Sequence, residues 1–227
     1  MRQTQHHMRN AALGALALAT VALCPGAAKA VVLTFDAADA CGVACTNSSF
    51  ISQTYGDTAL VDVRFDGDVI NAGFENMRWW GAGYSDLFGV AFVGLGFGQA
   101  QPTGVHLIPI SGYQITLNSF DLGSWQGASY NTQVTLRGGD GSLISSTGNF
   151  LSNGAMRNSF TPGLTRADGF RIVFGPDNFN IGIDNINYTV SRIGGGPVPE
   201  PSAWALTILG FGTVGAMLRR RGKAVTL

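Results

Sequence analysis

The chain has 227 residues and a formal net charge of zero, but its charges are unevenly placed: residues 31–193 hold thirteen acids against seven arginines and no lysine, a net charge of −6. Phosphate affinity comes mainly from lysine and arginine, so this balance argues against nucleic acid as a partner. At 163 residues the same segment is long enough for one domain with its own core, without metals or many disulfides.

The N-terminus has the layout of an export signal. Arg2 and Arg9 make a positive head, Ala11 to Leu23 an apolar run, and Ala28-Lys29-Ala30 a small-x-small site for signal peptidase, so residues 1–30 are expected to leave with cleavage after Ala30. His6 and His7 go with them and are not metal ligands. Cys24 ends the apolar run, but Leu23 before it and Pro25 after it do not suit lipidation, where a small residue precedes the cysteine.

Of three cysteines only Cys41 and Cys45 then remain. Outside the cytoplasm this pair is expected to close a small disulfide loop, worth roughly 2 kcal/mol through the unfolded chain. A thiol metal site would need more ligands, and after processing His106 is the only histidine left.

From there the apolar period is two. Val61, Val63 and Phe65 alternate with Asp62, Arg64 and Asp66; Tyr113, Ile115 and Leu117 form a second row; Phe170, Ile172 and Phe174 form a third. Twenty-three glycines and twelve asparagines punctuate residues 31–193, and Gly138-Gly139-Asp140-Gly141 reads as a hairpin turn. No sustained helical stripe interrupts them. The expectation is an all-β sandwich over residues 31–193, of the jelly-roll kind, with about eight to ten strands.

Two breaks in parity refine it. Phe179, Ile181 and Ile183 are odd while Ile186, Tyr188 and Val190 are even, which places a bulge at Asp184-Asn185; a similar slip separates Leu117 from Phe120 and Leu122. The stretch Gly182-Ile183-Asp184-Asn185-Ile186 with its final strand resembles the closing strand of jelly-roll carbohydrate-binding modules. That resemblance implies one possible cofactor, a structural calcium where first and last strands meet, with Asp36 and Asp184 as ligands and Asp39 nearby. The alternative is that Asp184 bonds the bulge backbone and Asp36 caps a turn.

Trp79, Trp80 and Tyr84 form one aromatic group, Trp125 and Tyr130 another. Exposed indole faces stack on sugar rings, so Trp79, Trp80 and Trp125 are glycan-stacking candidates; the competing role is packing at the core or rim. Catalytic patterns are weak. Gly94-Leu95-Gly96-Phe97-Gly98 lacks a following helix, a lone His106 near Ser111 makes no triad, and Asp62, Asp66 and Asp68 would need Glu75 as the only glutamate before residue 200. The chain is expected not to be an enzyme, with no catalytic residues.

The C-terminal end is the most specific part. A Gly-rich linker at 194–197 leads to Val198-Pro199-Glu200-Pro201-Ser202, then an apolar stretch from Ala203 to Leu218, then Arg219, Arg220 and Arg221. Sixteen apolar residues rise about 24 Å as a helix, short of a hydrocarbon core of roughly 30 Å, a deficit that snorkelling arginines and local thinning can cover. Basic residues on the C-terminal flank alone leave the tail cytoplasmic and the domain outside. Residues 198–222 resemble the PEP-CTERM sorting signal of exported bacterial proteins, whose ectodomains also share the closing-strand pattern. The resemblance implies that Pro199, Glu200 and Pro201 mark the site for an exosortase-type membrane transpeptidase, that residues 203–218 hold the chain transiently in the inner membrane, and that the mature protein reaches the cell surface or extracellular matrix. A structural or adhesive role in exopolysaccharide or biofilm is the expectation; the alternatives are a lectin-like carbohydrate-binding module and, more remotely, a polysaccharide-degrading enzyme.

Overall fold

A computed structural model describes residues 28–36, 39–66, 77–93 and 103–194. Most of the export signal, the linker beyond Gly194, Pro199-Glu200-Pro201, the apolar stretch 203–218, Arg219 to Arg221, Asp68, Glu75 and the glycine run at 94–98 lie outside those residues.

Among the described residues there are thirteen strands and no helix: β1 (Lys29–Leu33), β2 (Val61–Asp66), β3 (Arg78–Tyr84), β4 (Leu87–Phe92), β5 (Thr103–Pro109), β6 (Tyr113–Ser124), β7 (Asn131–Gly138), β8 (Leu143–Ser146), β9 (Phe150–Leu151), β10 (Asn158–Phe160), β11 (Leu164–Arg166), β12 (Phe170–Pro176) and β13 (Ile181–Arg192). They form two antiparallel sheets. One runs β10-β6-β13-β4-β3, with β1 also on β13 and β11 also on β6; the other runs β2-β5-β12-β7-β8, with β9 on β7. This is a β-sandwich. The count exceeds the expected eight to ten because β8 to β11 are pieces of two to four residues, two of them sharing one edge of β6.

The alternating rows explain the sandwich. Val61, Val63 and Phe65 of β2, Val105 and Leu107 of β5, and Phe170, Ile172 and Phe174 of β12 turn inward to meet Ile115 and Leu117 of β6 and Ile183, Ile186 and Tyr188 of β13. Each such burial contributes about 1.5–3 kcal/mol. Cleavage after Ala30 would remove Lys29 and Ala30 from β1 but keep Val31 to Leu33 paired with Tyr188, Asn187 and Ile186, and Leu33 is the buried residue of that strand.

Both parity breaks correspond to real bulges. Asp184 pairs with Asp121, Asn187 with Ser119 and Tyr188 with Leu117, so β13 gains a residue around Asn185 and β6 gains one at Asn118. One bulge alone would turn the rest of a strand inside out; two opposed bulges keep both apolar rows facing the core. Asn185 has a φ of 51°, a left-handed conformation that asparagine tolerates better than most residues.

The segment from Asn47 to Thr58 closes one side of the sandwich. Its backbone pairs with β3, as Ser48 N–H donates to Trp79 O at 2.9 Å and Trp79 N–H to Ser49 O at 2.8 Å. On β2 side chains do the same work: the Gln53 amide donates to Phe65 O at 2.8 Å and accepts from Phe65 N–H at 3.1 Å, and Asp57 accepts from Val63 N–H at 2.8 Å. Cys41 and Cys45, just before it, are joined by a disulfide with their Cα atoms 5.4 Å apart.

Tyr188 is fully buried and its hydroxyl has no hydrogen-bond partner among the described residues. Burial first, with the charge of Asp57 second, pushes its pKa up to about 12. An unsatisfied buried hydroxyl costs about 1–3 kcal/mol, so Tyr188→Phe should leave stability unchanged or raise it by about 1 kcal/mol in chemical denaturation. A clear loss would mean that the hydroxyl is bonded.

Candidate functional site

The bulge on β13 creates a small polar centre. Asp184 is only 3% exposed, and its Oδ1 accepts the Asn185 backbone N–H at 2.7 Å. Opposite it, Asp121 Oδ2 accepts from Asn185 Nδ2 at 2.9 Å and from Arg157 Nη1 at 3.2 Å. Arg157 also grips Asp86, through its backbone N–H at 2.7 Å and through Nε and Nη2 at 3.0 and 2.9 Å. Those hydrogen bonds hold the Asp86 carboxyl below its ordinary value. Asp184 moves the other way: burial, then the charges of Asp121 and Asp36, push it up to about 8 against the pull of the Asn185 N–H and Arg157.

Asp36 and Asp184 are therefore close enough for their charges to interact, as the calcium expectation requires. Asp36 is exposed and accepts the Thr34 hydroxyl at 2.9 Å, Asp184 and Asp121 are engaged as above, and among the described residues no three His, Cys, Asp or Glu side chains are grouped to hold a metal. Calcium takes six to eight oxygens, so an ion between these two carboxylates would draw the rest from backbone carbonyls and water.

The tryptophans divide. Neighbours in a strand face opposite ways, and Trp79 turns into the core, 6% exposed, with its indole N–H on Phe35 O at 2.5 Å. It has no face to offer a sugar. Trp80 turns outward and meets Trp125 edge-to-face at 5.0 Å, while Tyr84 lies 5.1 Å from Trp125 and donates its hydroxyl to Phe179 O at 2.6 Å. Leu87, Val90 and Phe92 support them from behind as a second apolar cluster, separate from the main core, in which Trp80 and Trp125 remain half-buried. Gly83 lets Trp125 lie flat on β3, since a Cβ there would stand 2.9 Å from the indole.

Of the carboxylates weighed for hydrolysis, Asp62 and Asp66 lie on β2, while Asp68 and Glu75 fall outside the described residues. Asp62 is held by Arg64 at 2.8 Å. Asp66 stands 3.0 Å from His106 Nε2 without the alignment of a hydrogen bond. Burial first lowers the His106 pKa, and Arg171 and Arg64 reinforce that against Asp66. An apolar cleft of about 380 Å³ also opens between the sheets, over Phe120, Val134 and Leu136, with Ser145, Ser146 and Thr147 at its rim and no charged side chain lining it.

Asp121, Asp86 and Arg157 are the residues that sequence reasoning missed. Asp121 and Asp86 lie 36 and 71 positions from Arg157; the pairing of β10 with β6 brings Arg157 to Asp121, and the turn between β3 and β4 carries Asp86. The one available signal was the parity slip on β6, which marks where its partner strand must also adjust.

A PEP-CTERM protein-sorting motif matches residues 197–221. No curated protein matches the chain. Among solved structures, the crystal structure of the Podospora anserina GH26-CBM35 β-(1,4)-mannanase aligns at 15% identity and a TM-score of 0.31, over 63% of this chain and 29% of that one.

Proposed function

We propose, from the premise that residues 197–221 are a PEP-CTERM sorting motif, that this β-sandwich is a non-catalytic domain delivered to the cell surface or extracellular matrix, where it has a structural or adhesive role within exopolysaccharide. The sorting motif is the observation that carries this reading. Proline disfavours helix at and just before its own position, which suits Pro199-Glu200-Pro201 to the groove of an exosortase-type transpeptidase. Gly194, Gly195 and Gly196 give that peptide reach beyond the end of β13. Mass spectrometry of the mature protein from surface and medium fractions should find Val31 as the first residue and a C-terminus inside the tag. An intact chain in the cytosol would overturn the reading.

The outward placement of Trp80 and Trp125 favours a second reading, a lectin-like module. Stacking on a ring is worth about 0.5–1.5 kcal/mol, so Trp80→Ala or Trp125→Ala should weaken retention on an insoluble polysaccharide by roughly three- to tenfold. Unchanged retention would assign both rings to packing. Release of soluble sugar would favour the degrading-enzyme alternative instead.

A further inference from the structure

The outer face of the six-stranded sheet carries a row of basic side chains that neither the sorting motif nor the aromatic patch explains. Strand register places Arg64 of β2 opposite His106 of β5, His106 opposite Arg171 of β12, and Arg171 opposite Arg137 of β7. All four point away from the core, because their neighbours Val63, Val105, Ile172 and Leu136 point into it, but His106 is itself buried at 7% exposure while Arg64 is exposed and Arg137 and Arg171 half-buried. Strands about 4.8 Å apart make this a track of about 14 Å.

Like charges directly opposite each other destabilise a sheet. This acidic domain nevertheless places three of its seven arginines in one row. The two halves of the row differ in their partners. Arg64 is neutralised by Asp62, and His106 stands against Asp66. Arg137 and Arg171 instead donate to backbone carbonyls of the β7–β8 hairpin, Gly141 O at 3.0 Å and Gly139 O at 3.3 Å. Carbonyls satisfy a donor without cancelling its charge. The nearby acids are committed elsewhere: Asp168 takes both Nε and Nη2 of Arg166 at 2.7 Å, and Asp140 takes the backbone N–H and hydroxyl of Ser142 at 2.9 and 2.6 Å. Among the described residues no carboxylate therefore pairs with Arg137 or Arg171. Each keeps donors in a planar fork suited to a carboxylate.

We propose that Arg137 and Arg171 form a binding track for the carboxylates of an acidic polysaccharide, with Arg64 farther along the same row and the buried His106 between them as a spacer. This deepens the exopolysaccharide reading, on which it rests for the source of the polymer, and uses a different face from Trp80 and Trp125. A sparsely charged polymer fits better than nucleic acid. The track is short, charges are screened beyond about 8 Å at physiological salt, and the net charge of −6 around it repels a denser polyanion.

The test uses the natural protein purified from surface fractions of the producing cells, with immobilised polygalacturonate, neutral dextran and duplex DNA as probes. Polygalacturonate should retain it, more weakly as salt rises from about 50 to about 500 mM, and the double variant Arg137→Gln/Arg171→Gln should bind at least tenfold more weakly at an unchanged melting temperature. Should that variant melt early, Arg137→Lys/Arg171→Lys keeps the charge and should hold part of the affinity. Three results overturn the proposal: no retention of the natural protein on polygalacturonate, unchanged retention of a folded glutamine variant, or DNA bound as tightly as polygalacturonate. A surface-located protein that ignores polygalacturonate sinks this inference alone. A cytosolic one sinks the functional reading beneath it.

Discussion

Replacing Asp184 by asparagine should stabilise the domain at pH 8 to 9 and flatten its stability from about pH 4 upward. The carboxyl is buried at the bulge, where desolvation and the charges of Asp121 and Asp36 raise its pKa from the usual 3.8 to about 8. In the unfolded chain it returns to the ordinary value. Between those two limits the native state holds a proton that the unfolded state has lost, so stability is full below about pH 4 and declines as pH climbs toward 8. At about 1.4 kcal/mol per unit the loss is on the order of 5 kcal/mol. Asparagine cannot ionise, yet it still offers an oxygen to the Asn185 N–H. Asp168 acts in the opposite sense, because its hydrogen bonds with Arg166 hold it at about 2, so its contribution is present above about pH 4 and lost as pH falls toward 2. Stability should therefore peak in mildly acid solution. Denaturation of both proteins from pH 3 to pH 9 is the measurement, and parallel curves would refute the role given to Asp184. The same experiment in calcium or in chelator examines the ion expectation: a rise in melting temperature with calcium that Asp184→Asn removes would show that an ion, and not a proton, neutralises this carboxylate.

Exchange of Pro199, Glu200 and Pro201 together for alanine should abolish the processed form. Proline disfavours helix and alanine is the best helix former, so the exchange reverses the local preference of the tripeptide that the transpeptidase would grip. The variant should accumulate as an unprocessed precursor that keeps residues 203–218 and Arg219, Arg220 and Arg221. Immunoblots of membrane, surface and medium fractions would show one longer species in the membrane. Normal trimming of the triple variant would remove the tripeptide from the mechanism while leaving the sandwich untouched.

The parts of the fold legible in the sequence are those written in long alternating rows. Val61 to Phe65 and Phe170 to Phe174 declare both strand and inward face, and the switch from Ile183 to Ile186 located the bulge because side-chain parity leaves no other way to keep both residues inside. β8 to β11 were illegible for the complementary reason: two to four residues, largely exposed, show no period. The same parity could have separated Trp79 from Trp80, which as strand neighbours had to face opposite sides. The contacts of Arg157 with Asp86 and Asp121 had no local trace, since charge pairing across 71 and 36 positions follows from topology alone. The basic row was hidden likewise, because Arg64, His106, Arg137 and Arg171 become neighbours only once four strands are in register.

The side chains of Gln53 and Asp57 have a consequence for how copies of the domain meet. By occupying the outer backbone groups of Phe65 and Val63, they deny a neighbouring molecule the ladder it would need to add itself to β2. At that border two copies of the domain lack a free ladder through which to join edge to edge.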